Sequence, residues 1–152
     1  AALERRGRSS HLVFVSPRSD QSEAQRYAGA RGVLGQMTFL SSISNEQKSW
    51  LYQHCEYVLI PSRYESFGLP VFEAFMARKP ICASKIEVFG EFLEDRKNAM
   101  LFDPGDAGGL AQIIQELDKD PVLREDLVKG GEKTLERFQC KEMVDKYVSL
   151  IS

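Results

Sequence analysis

The chain reads as an α/β protein: a doubly wound parallel sheet of about five strands with helices on both faces. Three observations predict this. Five short apolar runs recur along the sequence, helix-length segments separate them, and helix start signals stand between runs. Strands alternating with helices give a parallel sheet covered on both sides. At 152 residues the chain has the length of one domain, large enough for a proper core.

The runs are Leu12-Val13-Phe14-Val15, Met37-Thr38-Phe39-Leu40, Tyr57-Val58-Leu59-Ile60, Ile81-Cys82-Ala83 and Met100-Leu101-Phe102. Each is too short for a helix and is bounded by polar or turn residues, so each is predicted as a strand. Ser44 and Gln47 form a capping box for a helix running to about Cys55. Pro70 to Arg78 and Ile86 to Glu94 are predicted helices. Asp103-Pro104-Gly105-Asp106 is a turn that offers Asp106 as an N-cap, and Leu110, Ile113, Ile114 and Leu117 follow as an amphipathic stripe. After Pro121, Leu123, Leu127, Leu135 and Phe138 suggest a further helix, weakened at Gly130-Gly131. Val144, Tyr147, Val148 and Ile151 predict a last one. There is no internal repeat and no low-complexity linker.

Composition excludes several classes. Apolar residues make up 43% and charged residues 28%, so the chain is of ordinary globular type. A net charge of −2 gives no electrostatic case for nucleic acid or an anionic membrane. Arg5, Arg6 and Arg8 read as a solvated helix end rather than a binding patch. No apolar run approaches the roughly 18 residues of a membrane span, and the first residues carry no apolar signal region. Cys55, Cys82 and Cys140 are odd in number and far apart, which fits neither a metal site nor a disulfide framework. Cys82 is expected as a small core residue, and a reducing cytoplasm is the default compartment. His11 and His54 are the only histidines, so a histidine-dependent triad or zinc site is not expected.

The chemistry concentrates after the third run. Glu65 and Glu73 enclose Ser66-Phe67-Gly68-Leu69-Pro70-Val71-Phe72, between a predicted strand and a predicted helix. A glycine there lets a ligand approach the backbone, and a proline suits the first turn of a helix. Free N–H groups at a helix start favour anions such as a diphosphate. Two carboxylates in the same loop repel an anion, so they are expected to face neutral hydroxyls. A sugar nucleotide offers both kinds of group. In sheets of this type ligands bind outside the carboxyl ends of the strands, where this loop lies. Structural explanations compete: an acid early in a helix is favoured by the helix dipole, Gly68 suits a turn with positive φ, and Phe67, Val71, Phe72, Phe75 and Met76 read mainly as core packing. Glu65 has no such cap or stripe to explain it.

The stretch Pro61-Ser62-Arg63-Tyr64-Glu65-Ser66-Phe67-Gly68-Leu69-Pro70-Val71-Phe72-Glu73-Ala74-Phe75-Met76-Ala77 resembles the signature of the group 1 (family 4) glycosyltransferases, retaining enzymes of the GT-B architecture. That signature has two glutamates separated by seven residues, with Phe-Gly and often Leu-Pro between. Lys79-Pro80-Ile81-Cys82-Ala83-Ser84 and Asn98-Ala99-Met100-Leu101-Phe102-Asp103-Pro104-Gly105-Asp106 are similar to the family's next two conserved stretches. The likeness runs from about Leu12 to the end.

The resemblance implies a Rossmann-like fold, the C-terminal half of a GT-B enzyme, that binds a nucleoside-diphosphate sugar as donor. Glu73 would hold the ribose hydroxyls, and Glu65, the implied catalytic residue, would contact the transferred sugar. Ser66, Phe67, Gly68, Leu69 and Pro70 would bind sugar and diphosphate through the backbone. The loop after Phe39-Leu40 would lie near the base. No metal and no cofactor are implied. The acceptor would be a glycan or lipid-linked saccharide, as in polysaccharide biosynthesis, with hexosyl transfer the expected type. The expected site of action is cytoplasmic, with a peripheral place at the inner membrane face left open for the full-length protein.

The chain departs from the family's pattern in places. Lys79 stands where the family has glycine, and Ser16-Pro17-Arg18-Ser19-Asp20 replaces a glycine-rich turn. Residues 1–152 are expected to form a single nucleotide-sugar-binding domain that lacks the family's first strand, the basic pair carried beside it, and the acceptor-binding N-terminal domain. Such a fragment is expected to be inactive alone. Without the first strand, Val13 and Leu59 are expected on neighbouring strands. An alternative reading is a non-catalytic sugar-nucleotide-binding or interaction module on the same scaffold. A phosphorylase or epimerase is disfavoured, since the chain shows no cofactor lysine site and no cluster of acids and histidines.

Overall fold

The computed structural model describes residues 10–138. All five predicted strands are present: β1 (Leu12–Val15), β2 (Met37–Leu40), β3 (Val58–Ile60), β4 (Ile81–Ser84) and β5 (Met100–Phe102). Among the described residues five α-helices accompany them: α1 (Arg18–Ala30), α2 (Asn45–His54), α3 (Leu69–Met76), α4 (Ala107–Lys119) and α5 (Pro121–Arg137). Every strand pairing is parallel. The helix predicted over Val144 to Ile151, and Cys140, lie outside the described residues.

The chain forms two compact units, residues 1–48 and 49–152. In the first, β1 and β2 pair with Leu12 opposite Met37 and Val15 opposite Leu40. This register sets Phe14 opposite Phe39, and the two rings meet edge to face at 5.7 Å. Helix α1 follows Pro17, whose φ of −53° suits a helix entry. Buried Gln21 fixes α1 to the strand ends, because its Nε2 donates to the carbonyls of Ser16 at 2.9 Å and Leu40 at 2.8 Å. Sequence periodicity does not reveal α1. Its buried residues are only Gln21 and Ala28, so it has no apolar stripe to detect.

In the second unit the strand order is β3-β4-β5. Central β4 is buried at all four positions, as a parallel strand covered on both faces should be. Side chains alternate across the sheet. Ile60, Ile81 and Ala83 face one core with Val71, Phe72 and Phe75 of α3. Cys82, Met100 and Phe102 face another, with Leu117 of α4 and Leu127 of α5. Helices therefore cover both faces of this sheet. Cys82 is a core residue at 0% exposure, as expected.

Two helix starts follow the cap signals read from the sequence, and a third is capped by a residue not singled out there. Ser44 and Gln47 make the reciprocal capping box, with Ser44 N–H donating to Gln47 Oε1 at 2.8 Å and Gln47 N–H to Ser44 Oγ at 3.2 Å. Asp106 Oδ1 accepts from Gly109 N–H at 2.8 Å and caps α4. Asp120 caps α5 in the same way, through Leu123 N–H.

Two expectations are corrected. Val13 and Leu59 do not lie on neighbouring strands: β1 is in a sheet with β2, and β3 is in a sheet with β4 and β5. Leu12, Val13 and Val15 stay 38%, 38% and 47% exposed. The second correction concerns Ile86 to Glu94, which form not an α-helix but a short 3-10 turn at Val88–Glu91. Asn98 then draws the backbone away, its Oδ1 accepting from Glu94 N–H and its Nδ2 donating to the Phe92 carbonyl, both at 2.8 Å.

Candidate functional site

All the residues singled out around the glutamate pair lie in one loop and helix after β3, within the second unit. The chain leaves the carboxyl end of β3 at Ile60, runs through an irregular loop and enters α3 at Leu69. Gly68 makes the entry. It adopts left-handed geometry, φ 86° and ψ 42°, and a Cβ placed there would stand 2.6 Å from Phe89 Cε1. Conformation and space both require glycine. Pro70 follows in the first turn, where its missing N–H costs nothing.

No side chain caps α3, in contrast to α2, α4 and α5. Within its first turn Pro70 has no N–H and the Val71 N–H donates to the Gly68 carbonyl at 2.9 Å, so the Leu69 N–H is the one of that turn open to an outside acceptor. Leu69 is 63% exposed and Phe67 is 50% exposed. Phe67 departs from a core role: it lies half open, stacked on Phe72 with ring centroids 5.2 Å apart. Met76 also departs from a core role, at 66% exposure. Val71, Phe72 and Phe75 are buried, as expected. Ser66 is exposed and Pro70 half-buried.

Each glutamate has a hydroxyl partner. Ser62 Oγ donates to Glu65 Oε1 at 2.7 Å and holds the half-buried carboxylate within the loop. Tyr52 Oη, on the last turns of α2, donates to Glu73 Oε2 at 3.0 Å and lies 3.5 Å from the Pro70 carbonyl. Burial pushes the Tyr52 hydroxyl well above the usual tyrosine range, and the hydrogen bond to Glu73 and its charge add to this. Tyr52 is therefore a donor throughout the neutral range. Glu73 is the fifth residue of α3, beyond the first turn where the helix dipole acts most strongly. Hydrogen bonding, rather than the dipole, accounts for its orientation.

Sequence reasoning did not name Ser62 or Tyr52. Ser62 carries a local signal, a hydroxyl three residues before an acid. Tyr52 carries none, because its partner is 21 residues away. Lys79, in the family's glycine position, donates from Nζ to the Gln53 carbonyl at 2.8 Å, so it ties the start of the β4 approach to α2. The loop after Phe39-Leu40 belongs to the first unit. There Ser41 Oγ accepts from Arg18 Nε at 3.3 Å, and Ser42 has a left-handed φ of 54°. Among the described residues, no cluster of histidine, cysteine or acidic groups is arranged to hold a metal. Nor is any helix there long and apolar enough to cross a membrane.

Fold and site together define a parallel α/β protein whose candidate site opens at the carboxyl end of a strand. The chain belongs to the glycosyl transferases group 1, whose family model matches residues 1–134. Its fold is that of the C-terminal half of the GT-B enzymes. It is 28% identical over 131 residues to an alpha-D-kanosaminyltransferase from Streptomyces kanamyceticus, covering 86% of this chain and 34% of that one. Among solved structures it is similar to the C-terminal domain of a group 1 glycosyl transferase from Francisella tularensis, with TM-score 0.73 and 25% identity over 90% of this chain and 72% of that one. Anabaena HepE in complex with UDP has the same fold, with TM-score 0.85, 22% identity and coverage of 99% and 43%. The chain spans about a third of the length of the curated relatives it matches.

Proposed function

We propose that this chain is the donor-binding domain of a retaining glycosyltransferase. The donor is a nucleoside-diphosphate sugar, and the acceptor is a glycan or lipid-linked saccharide of polysaccharide biosynthesis. One observation carries the reading: Glu65 and Glu73 bracket the left-handed Gly68 turn at the uncapped start of α3. Carboxylates suit sugar hydroxyls, and helix N–H groups suit phosphate oxygens. The complex of HepE with UDP and the transferase names of the relatives support it.

In this reading Glu73 accepts from the ribose hydroxyls and Glu65 from hydroxyls of the sugar being transferred. The N–H groups of Phe67, Gly68 and Leu69 face the sugar and the diphosphate. When the bond from sugar to diphosphate breaks, negative charge grows on the departing phosphate. Fixed N–H dipoles at the start of α3 then stabilise it without reorganising. The reading requires no non-protein group beyond the donor itself, and it goes with a cytoplasmic site of action.

Calorimetric titration with a panel of nucleoside diphosphates tests it. One of them is expected to bind, and Glu73→Ala to weaken that binding by about 10–100-fold, the value of a charged hydrogen-bond set. Glu65→Ala, made in the full-length enzyme, is expected to lower turnover more than nucleotide affinity. Binding by none of the nucleotides would point instead to an interaction module, and equal losses for Glu65→Ala would remove its separate role.

A further inference from the structure

We infer that Tyr52 is a positioning residue, which sets the Glu73 carboxylate for the two hydroxyls of a ribose. The inference rests on the reading of Glu73 as the ribose-binding acid. Tyr52 approaches from a different element, α2, and its Oη lies 3.0 Å from Glu73 Oε2. The second acceptor near Oη, the Pro70 carbonyl, lies at 3.5 Å, so the single phenolic proton goes to the carboxylate, the closer and charged acceptor. The ring packs against the core that holds Phe72 and Phe75 of the same helix, and this leaves the phenol little freedom.

A glutamate side chain on a helix surface has three rotatable torsions, and an unheld carboxylate samples several rotamers. A ribose diol needs the carboxylate in one plane and at one distance to receive two hydroxyls. Tyr52 restricts that freedom before the ligand arrives, so less ordering remains for binding to cost. The hydroxyl is also kept protonated by its burial, so it does not repel the acid it orients. A purely structural tyrosine makes a different demand. Its ring contacts would stabilise the helix pair, but the hydroxyl would have no effect that depends on the ribose.

The test is calorimetric titration of wild type and Tyr52→Phe with the nucleoside diphosphate that wild type binds best, and with its 2′,3′-dideoxy analogue. The phenylalanine keeps the ring and its packing. Affinity of Tyr52→Phe for the ribonucleotide is expected to fall roughly three- to tenfold. For the dideoxy analogue the two proteins are expected to agree within about twofold. Unchanged ribonucleotide affinity overturns the role of Tyr52 alone. Equal losses for both ligands also overturn it, and assign the tyrosine a structural part. Failure of wild type to bind any nucleoside diphosphate overturns the donor-binding reading itself, and this inference with it.

Discussion

Gly68 is the position in the candidate site with the least tolerance. Its φ of 86° is open to glycine at little cost, while other residues lose about 1–2 kcal/mol in left-handed geometry. The Phe89 ring, 2.6 Å from the place of a Cβ, adds a clash with a buried side chain. Gly68→Ala is therefore expected to destabilise the protein by about 2–4 kcal/mol, combining strain with overpacking. Urea unfolding measures it, and a loss below about 1 kcal/mol would show that the loop can yield. This glycine was legible in the sequence, because a turn residue before a proline-led helix has few other meanings. The glutamates were legible for their spacing. Tyr52 was not, since an aromatic in an amphipathic helix looks like core and a hydroxyl pairing across the fold leaves no local trace.

Helix α5 shows a glycine pair with a different purpose. In the sequence Gly130-Gly131 weakens a helix, yet α5 runs unbroken from Pro121 to Arg137. The pair permits close packing. A Cβ on Gly130 would stand 1.9 Å from the Lys97 carbonyl oxygen, and one on Gly131 would stand 2.4 Å from Phe75 Cδ1. In Gly130→Ala a propensity gain of up to about 1 kcal/mol opposes a backbone clash. The clash should win, for a net loss of about 1–3 kcal/mol. Gly29 in α1 has nothing within 4 Å of its Cβ position, and Gly29→Ala is expected to stabilise by a few tenths up to about 1 kcal/mol. Thermal unfolding of both variants checks the contrast, and two shifts of the same sign would refute it. Helix α1 and the 3-10 turn at Val88–Glu91 were the elements that periodicity misjudged. In α1 a buried glutamine replaces the apolar anchor, and after the turn side-chain hydrogen bonds from Asn98 to the backbone of Phe92 and Glu94 override helical preference.

All five strands were legible because each is a short, largely apolar run, and β4, buried at all four positions, shows the pattern of a parallel strand covered on both faces most fully. Their order was not, since pairing depends on partners far away in sequence. The same burial makes stability depend on alkaline pH. The Cys82 thiol is pushed up to about 12 by burial, and the Tyr52 hydroxyl is raised too, first by burial and then by Glu73. Both groups are neutral in the folded state over a range where the unfolded chain ionises. Their contribution is complete below the unfolded thiol pKa, about 8.5, and is lost as pH rises through the folded values. From pH 9 to 12 the thiol should remove up to about 1.4 kcal/mol of stability per pH unit. Urea midpoints across this range should fall less steeply in Cys82→Ala. An identical slope would mean that the thiol is not shielded.

The placing of α5 has one further consequence. Leu127 enters the core behind Cys82 and Met100, while Gly131, one turn on, lies against Phe75 in the core on the opposite face. One helix thus clasps both sides of the β3-β4-β5 sheet, around its edge. Neither side can loosen without straining the clasp. The loop that carries Glu65 and Gly68 is in this way anchored to a helix more than fifty residues further along the chain.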